Sequence, residues 1–175
     1  MSESIKSKIR TVPHWPKKGV MFRDITTLLN DPAGFREIID HLYERYHDKK
    51  IDTVVGIESR GFILGAPLAY LLKCGFVPIR KPGKLPAEVE SEEYILEYGT
   101  DKIEVHKDAI KKGDKVLIVD DLLATGGTAN AAINLVKKLG GDIVECTFVV
   151  ELPSLKGREK IFRESIYSIC SFEGE

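Results

Sequence analysis

Val116–Ala129 reads VLIVDDLLATGGTA, and the fold turns on how it is read. With Lys115 before it, its first part is an unbroken aliphatic run, KVLIV, of the kind found in strands covered on both faces. Its second part is small and polar. Ala129, Ile133, Val136 and Leu139 then recur at helical spacing up to Gly140-Gly141, a fitting helix stop. A strand that ends in a Gly-Gly turn and opens a helix turns backbone N–H groups, and the positive end of the helix, toward one point. That arrangement suits a phosphate monoester. Asp120 and Asp121 stand at the strand end, placed to accept hydrogen bonds from vicinal hydroxyls, as on a ribose, or to sit near a metal. The alternative is a tight strand-to-helix turn with two solvated carboxylates. Neither the P-loop pattern nor GxGxxG occurs in the chain.

The same alternation extends outward. Asp52–Ile57 (DTVVGI), Phe76–Ile79, Ile143–Val150 (IVECTFVV) and Ile166–Cys170 read as further strands, and Gly61–Leu72 as a helix. Asp31-Pro32 supplies an N-cap with proline at the first helical position, followed by Phe35, Ile38, Ile39, Leu42 and Tyr46 as one buried stripe. Strand and helix in repeated order predict an α/β domain with a mostly parallel central sheet flanked by helices. Two regions break the rhythm. Residues 11–27, with Pro13, Trp15, Pro16 and Gly19, read as a loop-rich cap. Residues 81–100 read as a long loop whose Glu88, Glu90, Glu92 and Glu93 form a solvated face.

The 175 residues suit one domain. With 26 basic against 27 acidic side chains, the formal charge of −1 argues against a general nucleic-acid or anionic-membrane binder. The three cysteines, Cys74, Cys146 and Cys170, are odd in number, scattered and without CxxC, which favours a reducing cytoplasm over a disulfide scaffold. The opening MSESIKSKIR has no apolar core of a secretory signal, and Gly61–Leu72 is too short to span a membrane. His14, His41, His47 and His106 show no zinc-ligand spacing, although His106 is placed to pack against the 81–100 loop. Lys156-Gly157-Arg158 reads as a surface turn or an oligomer contact.

VLIVDDLLATGGTA resembles the phosphoribosyl diphosphate (PRPP) motif of type I phosphoribosyltransferases. GVMFRDIT (19–26), GIESRGF (56–62), RKPGKLP (80–86), LEYGTDKIEVHKDAI (96–110) and VELPSLKGREK (150–160) resemble segments of the adenine-specific branch in family order. The resemblance covers almost the whole chain; Glu58 stands where some members carry aspartate. It implies an N-terminal arm and cap (hood) over about residues 1–30, a flexible catalytic loop over about 81–100, and a homodimer. The implied reaction joins adenine and PRPP to give AMP and pyrophosphate with Mg²⁺.

On that resemblance, Ala124, Thr125, Gly126, Gly127 and Thr128 cradle the 5′-phosphate while Asp120 and Asp121 hold the ribose hydroxyls. Ser59 and Arg60 form the diphosphate loop, often with a non-proline cis peptide, here after Glu58, and Lys81 and Lys84 help to neutralise the diphosphate. Glu97 and Tyr98 stand near the reacting bond, with Glu97 managing the purine proton. Main-chain groups near Met21, with Phe22, Arg23 and Leu152, form the purine pocket; side chains alone say little about which base it takes. A transferase for another purine, or a non-catalytic sensor of PRPP or nucleotides, is the alternative.

Overall fold

The computed structural model describes residues 2–95 and 99–173. In chain order the elements are α1 (Ser2–Ser7), β1 (Arg10–Pro13), β2 (Met21–Asp24), α2 (Thr26–Asn30), α3 (Pro32–Tyr46), β3 (Thr53–Ile57), α4 (Arg60–Leu72), β4 (Gly75–Ile79), β5 (Val89–Ile95) and β6 (Thr100–His106). They continue with β7 (Lys115–Leu123), α5 (Gly127–Lys138), β8 (Asp142–Glu151), a 3₁₀ turn (Pro153–Leu155), α6 (Gly157–Lys160) and β9 (Ile166–Ser171).

Five strands form one wholly parallel sheet in the order β4-β3-β7-β8-β9. Alternation along each strand separates two apolar layers. Val55, Ile57, Ile118 and Phe148 pack with α5 and the β5–β6 ribbon. Val54, Leu117, Val119 and Val149 pack with α1, α2, α3 and α4. The chain leaves β3 for β4 on one side and returns to β7 on the other, so the order reverses between β3 and β7. Parallel α/β sheets open their ligand crevice at the carboxyl ends of such a pair.

The helix expected after Asp31-Pro32 is α3, and the Asp31 carboxylate accepts from the Ala33 amide (3.1 Å). β7 runs farther than KVLIV suggested, because Leu122 and Leu123 pair with Val150 and Glu151. The cap region contains an antiparallel ribbon in which Pro13 lies opposite Met21.

Residues 81–100 depart most from the sequence reading. Val89–Ile95 is a strand, paired antiparallel with β6 along its whole length. Its glutamates are not simply solvated: Lys138 of α5 reaches Glu92 (2.6 Å) and Glu90 (3.8 Å), and Asn134 donates to Glu92 (2.9 Å). Helix α5 supplies the counter-charge that lets a run of glutamates lie in a strand. His106 does pack here, its Nε2 accepting from the Ala87 amide (3.3 Å).

One charged cluster ties α3 to the sheet. β8 carries a bulge where the pairing steps from Val116–Ile143 to Leu117–Glu145. Glu145, 4% exposed, accepts from Arg45 Nε (2.8 Å), Arg45 Nη2 (3.0 Å), Tyr46 Oη (2.6 Å) and Ser165 Oγ (2.7 Å). Burial alone would raise this carboxyl, but the donors from Arg45, Tyr46 and Ser165 outweigh it and hold the pKa at about 2. A depressed folded-state pKa gives stability that is present above the unfolded value, near 4.5, and is lost as pH falls toward 2. Glu145→Gln is expected to lower stability at neutral pH by about 1–3 kcal/mol and to flatten the acid limb between those pH values. Urea midpoints measured across the range for both proteins check it.

Candidate active site

The crevice lies where the sheet order reverses. Its walls are the carboxyl ends of β3 and β7, the segment after β7 and the first turn of α5. It has a volume of about 260 Å³ and is lined by Glu58, Ser59, Arg60, Lys81, Tyr94, Asp120, Asp121 and residues 122–129. The structure thus brings Ser59, Arg60, Lys81, both aspartates and Ala124–Thr128 to one place.

The cradle follows from two close backbone approaches. Gly126 takes φ +78°, and a Cβ there would stand 2.7 Å from the Gly157 carbonyl oxygen. A Cβ at Gly157 would stand 2.3 Å from the Ala124 carbonyl oxygen. Segment 124–126 is therefore pressed against the start of α6, and only glycine fits on either side. Behind it α5 opens at Gly127, where the first amides have no carbonyl of their own helix to bond. In Lys156-Gly157-Arg158 the two basic residues are exposed at a turn, as the sequence suggested, but the glycine between them is not on the surface. Gly157 is buried behind the cradle, and Arg158 grips Glu151 with two bonds (2.6 and 2.7 Å). The sequence reading missed this role; the pairing of Gly157 with a loop 31 to 33 residues earlier has no local signature.

On the opposite wall the Glu58–Ser59 peptide is cis, as the resemblance implied. The Glu58 carboxylate accepts from the Lys81 amide (2.8 Å) and faces the Arg80 guanidinium (3.3 Å). Burial would raise that carboxyl, yet these partners hold it below the usual carboxylate range. The Glu58 amide donates to the Ile79 carbonyl (2.9 Å), so the β3 loop is fixed to the chain that carries Lys81. Lys84 is exposed and lies outside the residues lining the crevice.

Arg60 donates to Asp121, which is only 4% exposed. Burial would lower the guanidinium pKa, but Asp121 and then Asp120 raise it. Burial, then repulsion from Asp121, pushes the Asp120 carboxyl well up.

A second cleft, about 330 Å³, adjoins the first and is lined by Val12, Trp15, Phe22, Arg23, Asp24, Ile25, Thr26 and Arg60. Trp15 meets Phe22 edge-on (centroids 4.4 Å apart), a half-exposed aromatic wall that the sequence reading passed over. Arg23 is braced by Thr11 (2.6 Å) and lies over the Phe172 ring (4.4 Å). Asp24 accepts from Arg10 Nη2 (2.5 Å), from the Thr26 hydroxyl (2.7 Å) and from the Thr26 amide (2.9 Å), which together draw its pKa to about 2 against the effect of burial. Phe22 and Arg23 thus reach the second cleft. Met21 and Leu152, both half-buried, are not among its lining residues; Leu152 packs against the α3–α4 core layer. Glu97 and Tyr98 lie outside the described residues. Arg60 belongs to both clefts, so the polar crevice and the aromatic cleft meet at one guanidinium.

Known proteins resemble the chain in sequence and in fold. The family model described as Phosphoribosyl transferase domain matches residues 24–171. An adenine phosphoribosyltransferase of Nitrosomonas europaea is 60% identical over 172 residues, covering 97% of this chain and 99% of its own. The crystal structure of adenine phosphoribosyltransferase from Thermoanaerobacter pseudethanolicus is 51% identical, with TM-score 0.95 and coverage of 98% and 100%. The Giardia lamblia enzyme, crystallised with 9-deazaadenine, is 39% identical, with TM-score 0.93 and 99% of each chain covered. By sequence and by fold, the chain belongs to the phosphoribosyltransferase family, in its adenine phosphoribosyltransferase branch.

Proposed function

We propose that the chain transfers the 5-phosphoribosyl group from PRPP to adenine, giving AMP and pyrophosphate, a purine-salvage reaction. The observation that carries this reading is the sharing of Arg60 between a polar crevice with a glycine-built anion cradle and an aromatic cleft. A nucleotide-forming reaction needs that adjacency, since its bond is made where the ribose meets the base.

The 5′-phosphate lies on the amides of Ala124–Thr128, and Asp120 and Asp121 take the ribose hydroxyls. The base enters the cleft that Trp15, Phe22 and Arg23 line. Adenine N9 attacks the anomeric carbon, the bond from that carbon to the diphosphate oxygen breaks, and its electron pair leaves with pyrophosphate. Ser59, Arg60 and Lys81 receive that charge from one side, with Lys84 near the rim. The resemblance gives Glu97 and Tyr98 the catalytic roles, with Glu97 accepting the purine proton. The carboxylates of Asp120 and Asp121 are hard oxygen donors of the kind that hold Mg²⁺ together with substrate phosphates. When bound, Mg²⁺ supplies charge neutralisation to the diphosphate. Among the described residues no helix is long and apolar enough to cross a membrane. Three free thiols fit a reducing cytoplasm, and a homodimer belongs to the same reading.

Three outcomes test this. With PRPP and Mg²⁺, the purified protein is expected to convert adenine to AMP at least about a thousandfold faster than it uses guanine or hypoxanthine, because an unmatched 6-oxo group leaves polar groups of the site unpaired. Comparable rates on all three would move the assignment to another purine. Gly157→Ala is expected to raise KM for PRPP by about tenfold or more while leaving the circular dichroism spectrum intact, since the new methyl displaces the Ala124 carbonyl. Glu97→Gln is expected to lower kcat by about a hundredfold or more with little change in KM, as loss of a proton acceptor in the transition state requires.

A further inference from the structure

Lys81 is held at both ends by different partners. Its amide is fixed to the Glu58 carboxylate (2.8 Å), so only the side chain is free to swing. Its ammonium donates to the Asp101 carboxylate and to Tyr94 Oη (3.0 Å), and Tyr94 in turn donates to the same Asp101 oxygen (2.9 Å). Tyr94 and Asp101 are cross-strand partners in the β5–β6 ribbon. The Tyr94 ring is buried against the start of α5, where a Cβ at Gly127 would lie 3.4 Å from it. Lys81 and Tyr94 line the crevice; Asp101, among the described residues, does not. The cluster is therefore rigid on the ribbon side, and it draws the lysine charge toward the ribbon. Side-chain exposures of 40% for Lys81 and 31% for Asp101 leave the pair exchangeable. Burial would lower the Lys81 pKa, but the bonds to Asp101 and Tyr94 keep it raised, so the group is cationic while it pairs with Asp101.

We propose that Asp101, oriented by Tyr94, is an internal counter-ion that occupies the Lys81 ammonium and gives it up to the diphosphate when substrate binds. Asp101 is a positioning residue: it acts through Lys81 and touches no substrate. It makes the unliganded site less cationic, and part of the attraction for pyrophosphate is used in breaking the Lys81–Asp101 pair. The device therefore weakens the hold on the leaving group, which favours release of the product. This rests on the reading of Lys81 as a diphosphate ligand.

The test is calorimetric titration of pyrophosphate, in buffer containing Mg²⁺, into the full chain and into Asp101→Asn, Asp101→Glu, Lys81→Met and the Asp101→Asn/Lys81→Met double variant. Asp101→Asn is expected to bind pyrophosphate roughly three- to tenfold tighter, and Asp101→Glu to keep the original affinity. A gain in affinity is not something a damaged fold would produce. In the Lys81→Met background the gain is expected to shrink below about twofold. An undiminished gain there would show that Asp101 acts through its general field and would overturn the proposal. Unchanged or weaker binding by Asp101→Asn, with Lys81→Met still impaired, removes the counter-ion role and leaves the diphosphate reading standing. No loss on Lys81→Met, or no binding by the unaltered chain, overturns that reading and the proposal together.

Discussion

Everything at the crevice depends on how closely α4 approaches β7. A Cβ at Gly61 would stand 2.7 Å from the Val119 carbonyl oxygen, so the helix can start where it does only without a side chain at that position. The approach sets Arg60 beside Asp121 and brings the ends of β3 and β7 together. Without it the reversal of strand order would remain a topological fact with no chemistry attached. The clefts share a residue because that residue begins a helix pressed into the sheet.

Charge is arranged locally and nearly cancels overall. Three cations at or beside the crevice have carboxylate partners: Arg60 with Asp121, Arg80 with Glu58, Lys81 with Asp101. A net charge of −1 is therefore compatible with a site for a polyanion. Much of the positive potential comes from backbone amides, which composition does not count. The Glu58 pair fixes a loop, whereas the more exposed Lys81 pair can exchange partners.

What the sequence revealed and what it hid differ for physical reasons. Strands β3, β7 and β8 were legible because burial on both faces leaves largely apolar runs, broken inside β8 by Glu145 and Thr147, and α3 because its cap and stripe are local signals. β5 was hidden because its glutamates are stabilised by Asn134 and Lys138, more than 40 residues away. The cradle motif was readable in Ala124–Thr128, but its support at Gly157 was not, since that contact exists only once β8 has crossed the sheet. Phe22 and Arg23, named on the resemblance, line the second cleft, while Trp15 was passed over because an isolated aromatic between two prolines carries no periodicity. Met21 and Leu152 carried the resemblance without lining either cleft.

The Gly126–Gly157 contact also bears on how this chain can vary. Gly126 faces only the backbone of Gly157, and the nearest obstacle at Gly157 is the Ala124 carbonyl oxygen at 2.3 Å, which trimming the Leu123 side chain (2.9 Å) would not remove. A side chain gained at either position therefore has no compensating substitution opposite it. Covariation, the usual route by which packed pairs drift together, is closed here. Change must come from moving whole segments, so the connection from β8 into α6 is constrained in length and path by the main chain of a loop it presses against.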